Sequence, residues 1–224
     1  MDRRRVGLLA CAVLAAACSR VSEWKAYFHD DPLPYYLYLP EGQTGIYPPP
    51  LFVGLLGEGG TAVDCFDLWQ PLAKERELVL ICPELAGGAT LTGNTDAEQD
   101  MAQVLTQLYS QYTLQPRFFL AGFGDAGRFV LDYALRYPQV VSGVSVMAVD
   151  EFPAGSTAVA DLPFLIALGE TDRARAPAVE AAAEAWRQLG LLIRVVPISG
   201  DGNRPTLDFA RLSAELCSQT ARGG

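Results

Sequence analysis

Residues 121–127 carry the clearest chemical signature in this sequence. They read Ala-Gly-Phe-Gly-Asp-Ala-Gly, and they join the apolar run Phe118–Phe123 to a helical pattern that begins near Ala126. In a G-x-S-x-G turn, a sharp change from strand to helix exposes a nucleophilic serine, and small residues flank it because the turn leaves no room for side chains. The corresponding position here is Gly124, which has no side chain. The segment therefore has the form of a nucleophile turn without the nucleophile.

Other segments of the chain extend this similarity. They are the glycine-rich turn 55–60, the helix end Arg136-Tyr137-Pro138, the turn Gly169-Glu170-Thr171-Asp172 and the late turn Gly200-Asp201-Gly202-Asn203. With the turn at 121–127, these segments make nearly the whole mature chain resemble the α/β-hydrolases, most closely the secreted esterase and polyhydroxybutyrate-depolymerase-like branch. The resemblance implies a nucleophile at position 124, an acid at Asp172 and a base at position 203. It also implies an oxyanion-binding loop formed by Gly57, Glu58, Gly59 and Gly60 together with Asp125.

Two of the three catalytic positions implied by this resemblance lack the required chemistry. Gly124 offers no oxygen to attack an acyl carbon, and Asn203 has no group that titrates near neutral pH. Without these two groups, only a residual rate from an oxyanion hole would remain. The sequence therefore predicts a catalytically inactive protein that acts as a binding or scaffolding module.

An active esterase or related hydrolase is the alternative interpretation. Asp125 follows the vacant position, and haloalkane dehalogenases and epoxide hydrolases use an aspartate at this turn as the nucleophile. Such a shift would place Phe123 where a small residue is needed, and the second step would need a histidine. The one histidine, His29, precedes the first predicted strand and is remote in sequence from every candidate turn. Asp125 is more simply interpreted as a cap of the following helix.

The elements that must position these residues alternate between strand-length apolar runs and helical patterns. Strands are predicted at 35–39, 51–56, 78–82, 118–123, 144–149, 164–168 and 191–196, and helices at 62–76, 95–112, 126–137, 178–189 and 206–217. Apolar strands separated by helices indicate a three-layer, doubly wound α/β domain with a mostly parallel sheet. Ligands in such sheets bind at the carboxyl ends of the strands, where the candidate turns lie.

Composition excludes some classes of protein. Half of the 224 residues are hydrophobic, 19% are charged and the formal net charge is −9. An acidic chain lacks the basic surface that nucleic acid requires. The turn at 57–60 also lacks the lysine and spacing of a phosphate-binding loop, so neither a nucleotide nor any other cofactor is expected.

The N-terminus has the pattern of an export signal. Three arginines precede an apolar run, Val6–Ala17, which is too short to span a bilayer, and small residues lead to Cys18. This pattern resembles the bacterial lipobox, in which the cysteine is diacylated. We therefore expect a signal peptide at 1–17, a tether at 18–34 and the α/β-hydrolase-like domain at 35–220. A lipid on Cys18 would anchor the protein in the cell envelope, on the periplasmic or outer-membrane side.

The remaining cysteines and carboxylates leave alternatives open. Cys65, Cys82 and Cys217 cannot all pair with one another, and a Cys65–Cys82 bridge is one possibility. Glu58, Asp125, Asp172 and Asp201 all fall on turns at the predicted carboxyl edge of the sheet. If they converged, they would suit a small-molecule or glycan ligand, or a cation such as Ca²⁺, although no metal site is assigned. The competing interpretation is that they contribute only to an acidic surface.

Overall fold

The structure is a computed structural model that describes residues 27–41, 48–57, 59–86, 91 and 93–222. Its centre is one eight-stranded sheet in the order β1-β2-β4-β3-β5-β6-β7-β8. The strands are β1 (Phe28–His29), β2 (Tyr35–Tyr38), β3 (Leu51–Leu56), β4 (Val79–Pro83), β5 (Phe118–Phe123), β6 (Val141–Met147), β7 (Pro163–Gly169) and β8 (Leu192–Ile198).

Strands β3 to β8 run parallel, whereas β2 lies antiparallel to both β1 and β4. In the register of β3 with β5, Leu51 lies opposite Phe118 and Leu56 opposite Phe123. The turns after β3 and β5 therefore leave the sheet side by side. The turns after β6, β7 and β8 leave at the same edge, because parallel strands share one carboxyl edge.

Five helices cover the two faces of the sheet: α1 (Ala62–Glu75), α2 (Thr95–Gln111), α3 (Asp125–Arg136), α4 (Ala176–Gln188) and α5 (Leu207–Arg222). Helices α1 and α5 share one apolar cluster with one face of the sheet. Helices α2, α3 and α4 contribute to the cluster on the other face. This three-layer arrangement confirms the predicted fold class.

Strand β5 shows why these residues form a central strand. All six of its side chains are buried, with Phe118 and Leu120 in one apolar cluster and Phe119, Ala121 and Phe123 in the other. A strand covered by helices on both faces needs apolar residues at every position, not an alternating pattern. The resulting burial fixes the position of the turn that follows β5.

The structure describes ordered elements near both ends of the expected domain. Strand β1 and the buried Leu33 lie within residues 18–34, which were expected to be a tether. A two-residue strand has no readable periodicity, so the sequence could not reveal it. At the other end, α5 continues to Arg222, beyond the expected boundary at 220. Residues 1–26, including the expected signal peptide and Cys18, lie outside the described residues.

A disulfide joins Cys65 of α1 to Cys82 of β4, while Cys217 is a free, buried cysteine. The structure thus selects the one pairing that the sequence analysis had named. The bond fastens the first turns of α1 to the sheet, close to the loop that leads from β3. None of the helices in the described part of the chain is long and apolar enough to cross a membrane.

Candidate functional site

The turn between β5 and α3 has the sharp geometry that the sequence predicted. Gly124 is the N-cap of α3 and has φ 63° and ψ −131°. This backbone conformation is costly for residues with a side chain, and non-glycine residues in it are typically held there at functional sites. A glycine adopts it freely. Gly124 therefore makes this sharp turn without strain, and it presents no side chain.

Glycines around the turn allow the backbones to approach closely. A Cβ atom on Gly122 would lie 2.5 Å from the carbonyl oxygen of Ala126, and one on Gly57 would lie 2.8 Å from the backbone nitrogen of Ala126. Real Cβ atoms are essentially never found at such distances. The loop after β3 is thus pressed against the first turn of α3, as an oxyanion-binding loop would be.

The backbone groups of this loop are partly engaged within the protein. The Gly57 N–H donates to the carbonyl of Phe123 over 3.0 Å, and the Gly60 N–H donates to the carbonyl of Gly57 over 3.2 Å. These two donors are therefore satisfied without a ligand. Gly59 has a positive φ of 85° and open space beside it. Glu58, the remaining predicted member of the loop, lies outside the described residues.

Asp125 does not serve as the N-cap of α3. That position belongs to Gly124, which has no side chain to cap the helix, and Asp125 is the first helical residue. The Asp125 carboxylate accepts a hydrogen bond from the backbone N–H of Leu91. Its side chain thus connects the turn at Gly124, which we call the elbow, to the segment after β4.

Asp172, the predicted acid, lies on the turn after β7, and its side chain is only 4% exposed. The carboxylate lies against the turn after β8, since a Cβ atom on Gly202 would be 2.5 Å from Oδ2. Gly202 has φ 77°, so a glycine is favoured there by backbone conformation as well as by space. The turns that would carry an acid and a base are therefore packed together.

Both oxygens of Asp172 accept hydrogen bonds from Arg175. The Arg175 backbone N–H donates to Oδ1 over 3.1 Å, and Nη1 of its guanidinium donates to Oδ2 over 3.1 Å. The same Nη1 donates to Oδ1 of Asn203 over 3.3 Å, and Nε donates to Oδ1 of Asp150 over 2.7 Å. Arg175 thus joins the turns after β6, β7 and β8. We call Asp150, Asp172, Arg175 and Asn203 the arginine cluster.

Charge stabilises this cluster. Partial burial lowers the pKa of Arg175, but hydrogen bonding to Asp172 and attraction to Asp150 and Asp172 outweigh the burial, so the pKa is raised above its ordinary value. This cluster was not predicted from the sequence. One signal was available, an arginine three residues after the acid in the same turn, whereas no sequence feature connects Asp150 to that turn.

Of the four carboxylates that were considered as one acidic pocket, the structure describes Asp125, Asp172 and Asp201, and each of these has a different partner. Asp172 pairs with Arg175, and Asp125 contacts Leu91. Asp201 is exposed and accepts from the backbone of Asn203 over 3.1 Å, and this bond lowers the pKa of Asp201. Among the described residues, no group of three or more His, Cys, Asp or Glu side chains could hold a metal ion.

A cavity of about 540 Å³ opens beside the loop after β3, away from the arginine cluster. Its volume is within the range of small-molecule sites. Apolar side chains form most of the described wall: Leu33, Pro34, Leu55, Leu56, Pro83, Leu85 and Leu91. Thr61, Glu84 and Asp100 add polar groups to its lining.

His29 is remote from all of these turns. It lies on β1, and strands β2, β4 and β3 separate β1 from β5. Its ring is half-buried and stacks on Tyr35 with centroids 4.8 Å apart. The prediction that His29 is no substitute for the missing base agrees with this position.

The strand order, the three layers and the turn at Gly124 define the α/β-hydrolase fold. Among solved structures, the chain is similar to the S-formylglutathione hydrolase FrmB of Staphylococcus aureus, with a TM-score of 0.68 at 13% identity over 87% of this chain and 96% of that one. The fluorophosphonate-binding serine hydrolase FphF of the same organism gives a TM-score of 0.64 at 12% identity, again over 87% and 96% of the two chains.

A carboxylesterase of Mesorhizobium loti gives a TM-score of 0.61 at 18% identity, over 82% of this chain and 93% of that one. At these identities the similarity establishes the fold. No family model and no curated protein matches the sequence.

Proposed function

We propose that this protein is a catalytically inactive α/β-hydrolase-fold module of the bacterial cell envelope that binds a ligand or partner. The observation that carries the proposal is Gly124, which has the φ of 63° expected at a nucleophile turn but no nucleophile. Asn203 at the base position and the pairing of Asp172 with Arg175 support it, because neither Asn nor Arg accepts a proton near neutral pH.

A serine-hydrolase probe tests the inactivity. We expect no labelling by a fluorophosphonate and no turnover of short p-nitrophenyl esters above the buffer rate. A protein of this fold that lacks a nucleophilic hydroxyl cannot form the covalent adduct with the fluorophosphonate. Asp125→Asn is the matched variant for the alternative mechanism. Ester turnover in the wild type that disappears in Asp125→Asn would contradict inactivity and favour an aspartate nucleophile, and labelling of any serine would overturn the proposal.

The binding role is supported by the cavity beside the loop after β3. Leucine and proline side chains dominate its described wall, so a molecule with an apolar body fits it better than a glycan. We expect saturable fluorescence enhancement of the neutral dye Nile red, reduced by Leu85→Trp, which would fill part of the cavity. Leu189→Trp adds the same side chain at an exposed leucine outside the cavity and should leave dye binding unchanged. Equal effects of the two variants would contradict ligand binding at this cavity.

Location in the envelope is supported by the lipobox-like sequence that ends at Cys18. We expect radiolabelled palmitate to be incorporated into the full-length protein expressed in a bacterium. Cys18→Ala should abolish incorporation, whereas Cys11→Ala, which changes a cysteine inside the apolar run, should retain it. A mature, unacylated protein that begins at another residue would contradict the lipid anchor.

A further inference from the structure

The arginine cluster suggests a third difference from a catalytic triad, beyond the missing nucleophile and the missing base. In a catalytic triad, the buried acid accepts a hydrogen bond from the base and stabilises the imidazolium that forms during turnover. In this protein both Asp172 oxygens are occupied by Arg175, and Asn203 contacts the guanidinium. The cation beside the acid is therefore already present and belongs to a different residue.

A guanidinium and an imidazole satisfy a buried carboxylate in different ways. Arginine stays protonated at every physiological pH, so it balances the charge of Asp172 but cannot accept a proton from a nucleophile. Histidine does both, because its pKa lies near neutrality. Replacement of a catalytic histidine without a new cation would leave Asp172 buried and unpaired, which is costly.

We propose that Arg175 occupies the place where the imidazole of a base at position 203 would pair with Asp172, and that it thereby blocks reconstruction of the triad. This inference rests on the proposed function, because it takes positions 124, 172 and 203 as nucleophile, acid and base. It predicts that Arg175 and a histidine at position 203 are alternative partners of Asp172.

The first readout is the titration of an introduced imidazole, measured by NMR. The chain has a single native histidine, so two imidazole signals are expected in Asn203→His and are assigned against the parent protein. Addition of Arg175→Met removes the competing charge but keeps an apolar stem of similar length. The pKa of the introduced imidazole should then rise by about one unit or more, because Asp172 becomes its partner. Arg173→Met, at the exposed arginine two residues earlier, is the control and should leave this pKa unchanged.

The second readout is fluorophosphonate labelling of reconstructed variants. In Gly124→Ser/Asn203→His, the imidazole cannot pair with Asp172 and labelling should be slow. With Arg175→Met added, the serine hydroxyl gives its proton to the imidazole, its oxygen forms a bond to phosphorus, and fluoride leaves with the bonding electrons. Labelling should become at least about tenfold faster.

Stability provides a check that each variant is folded. Introduced into the parent protein, Arg175→Met should lower the urea midpoint of unfolding. Introduced into Asn203→His at acidic pH, it should lower the midpoint less, because the imidazolium can replace the guanidinium beside Asp172. An imidazole pKa that does not respond to Arg175→Met overturns the proposal, as does equal labelling of the double and triple variants. An imidazole pKa that rises supports it, even where neither variant is labelled. Labelling of the wild type would instead refute the proposed function.

Discussion

The elbow at Gly124 and the arginine cluster retain different parts of the same predicted machinery. The elbow keeps its backbone conformation and its close contacts between glycines, and lacks the reactive side chain. The cluster keeps the buried acid, Asp172, but pairs it with Arg175. The backbone of the elbow is fixed by packing against neighbouring strands and helices, so its conformation does not depend on a reactive side chain. A buried carboxylate needs a partner whether or not it takes part in catalysis.

The largest effect is expected from steric disturbance of the elbow. In Gly122→Ala the new methyl group would meet backbone atoms of Ala126 and Gly127 at 2.5–2.8 Å. Backbone cannot move aside as a flexible side chain can, so we expect a loss of about 3 kcal/mol or more in the free energy of unfolding. Urea denaturation would measure this loss.

Gly59→Ala is the matched control for this substitution. Gly59 has a positive φ but open space around it, so the cost should be about 1–2 kcal/mol from backbone conformation alone. Equal losses of stability in Gly122→Ala and Gly59→Ala would show that close packing does not hold the backbone of the elbow. The difference between the elbow and the arginine cluster would then be wrong.

A smaller effect is expected from electrostatic disturbance of the arginine cluster. Arg175→Met would leave Asp172 buried without its cation, and we expect a loss of about 2 kcal/mol in the free energy of unfolding. The value is below that of a fully buried pair because the Arg175 side chain is 17% exposed. The double variant Arg175→Met/Asp172→Asn should recover part of the loss, because the unpaired charge is removed.

Arg173→Met provides the baseline, since an exposed arginine typically contributes no more than about 0.5 kcal/mol. If Arg175→Met lost as little free energy of unfolding as this baseline, charge pairing would not stabilise the arginine cluster. The stability of the elbow and of the arginine cluster would then both depend on backbone packing.

Two central strands, β3 and β5, could be predicted from the sequence to the residue, whereas the ends of other strands could not. Strands β3 and β5 have the predicted bounds because their uninterrupted apolar runs end at glycine-rich turns. Strand β6 was expected at 144–149 but spans Val141–Met147. Ser142 and Gly143 interrupt its apolar pattern at the start, and at the other end Ala148 has φ 59°, which takes the chain out of the strand.

In the candidate site, the sequence located individual residues but did not reveal the contacts between them. Gly124, Asp172 and Asn203 were located from motif and spacing, and their assignment as a vacant nucleophile position, an acid and a vacant base position stays a prediction. Contacts between turns were not accessible to sequence reasoning. Asp172 and Asn203 both contact Arg175, and no motif indicates that contact. Which of several charged loop residues pair depends on the positions of strands far apart in sequence.

The position of Cys217 has a consequence for how the oxidised protein is maintained. With Cys65 and Cys82, it gives the domain an odd number of cysteines, so a third thiol is present that could exchange with the disulfide. Exchange requires a thiolate, and burial in the contact between α5 and the sheet raises the pKa of Cys217 well above its ordinary value. The folded core therefore keeps this thiol protonated and out of reach, which protects the native pairing from rearrangement once folding is complete.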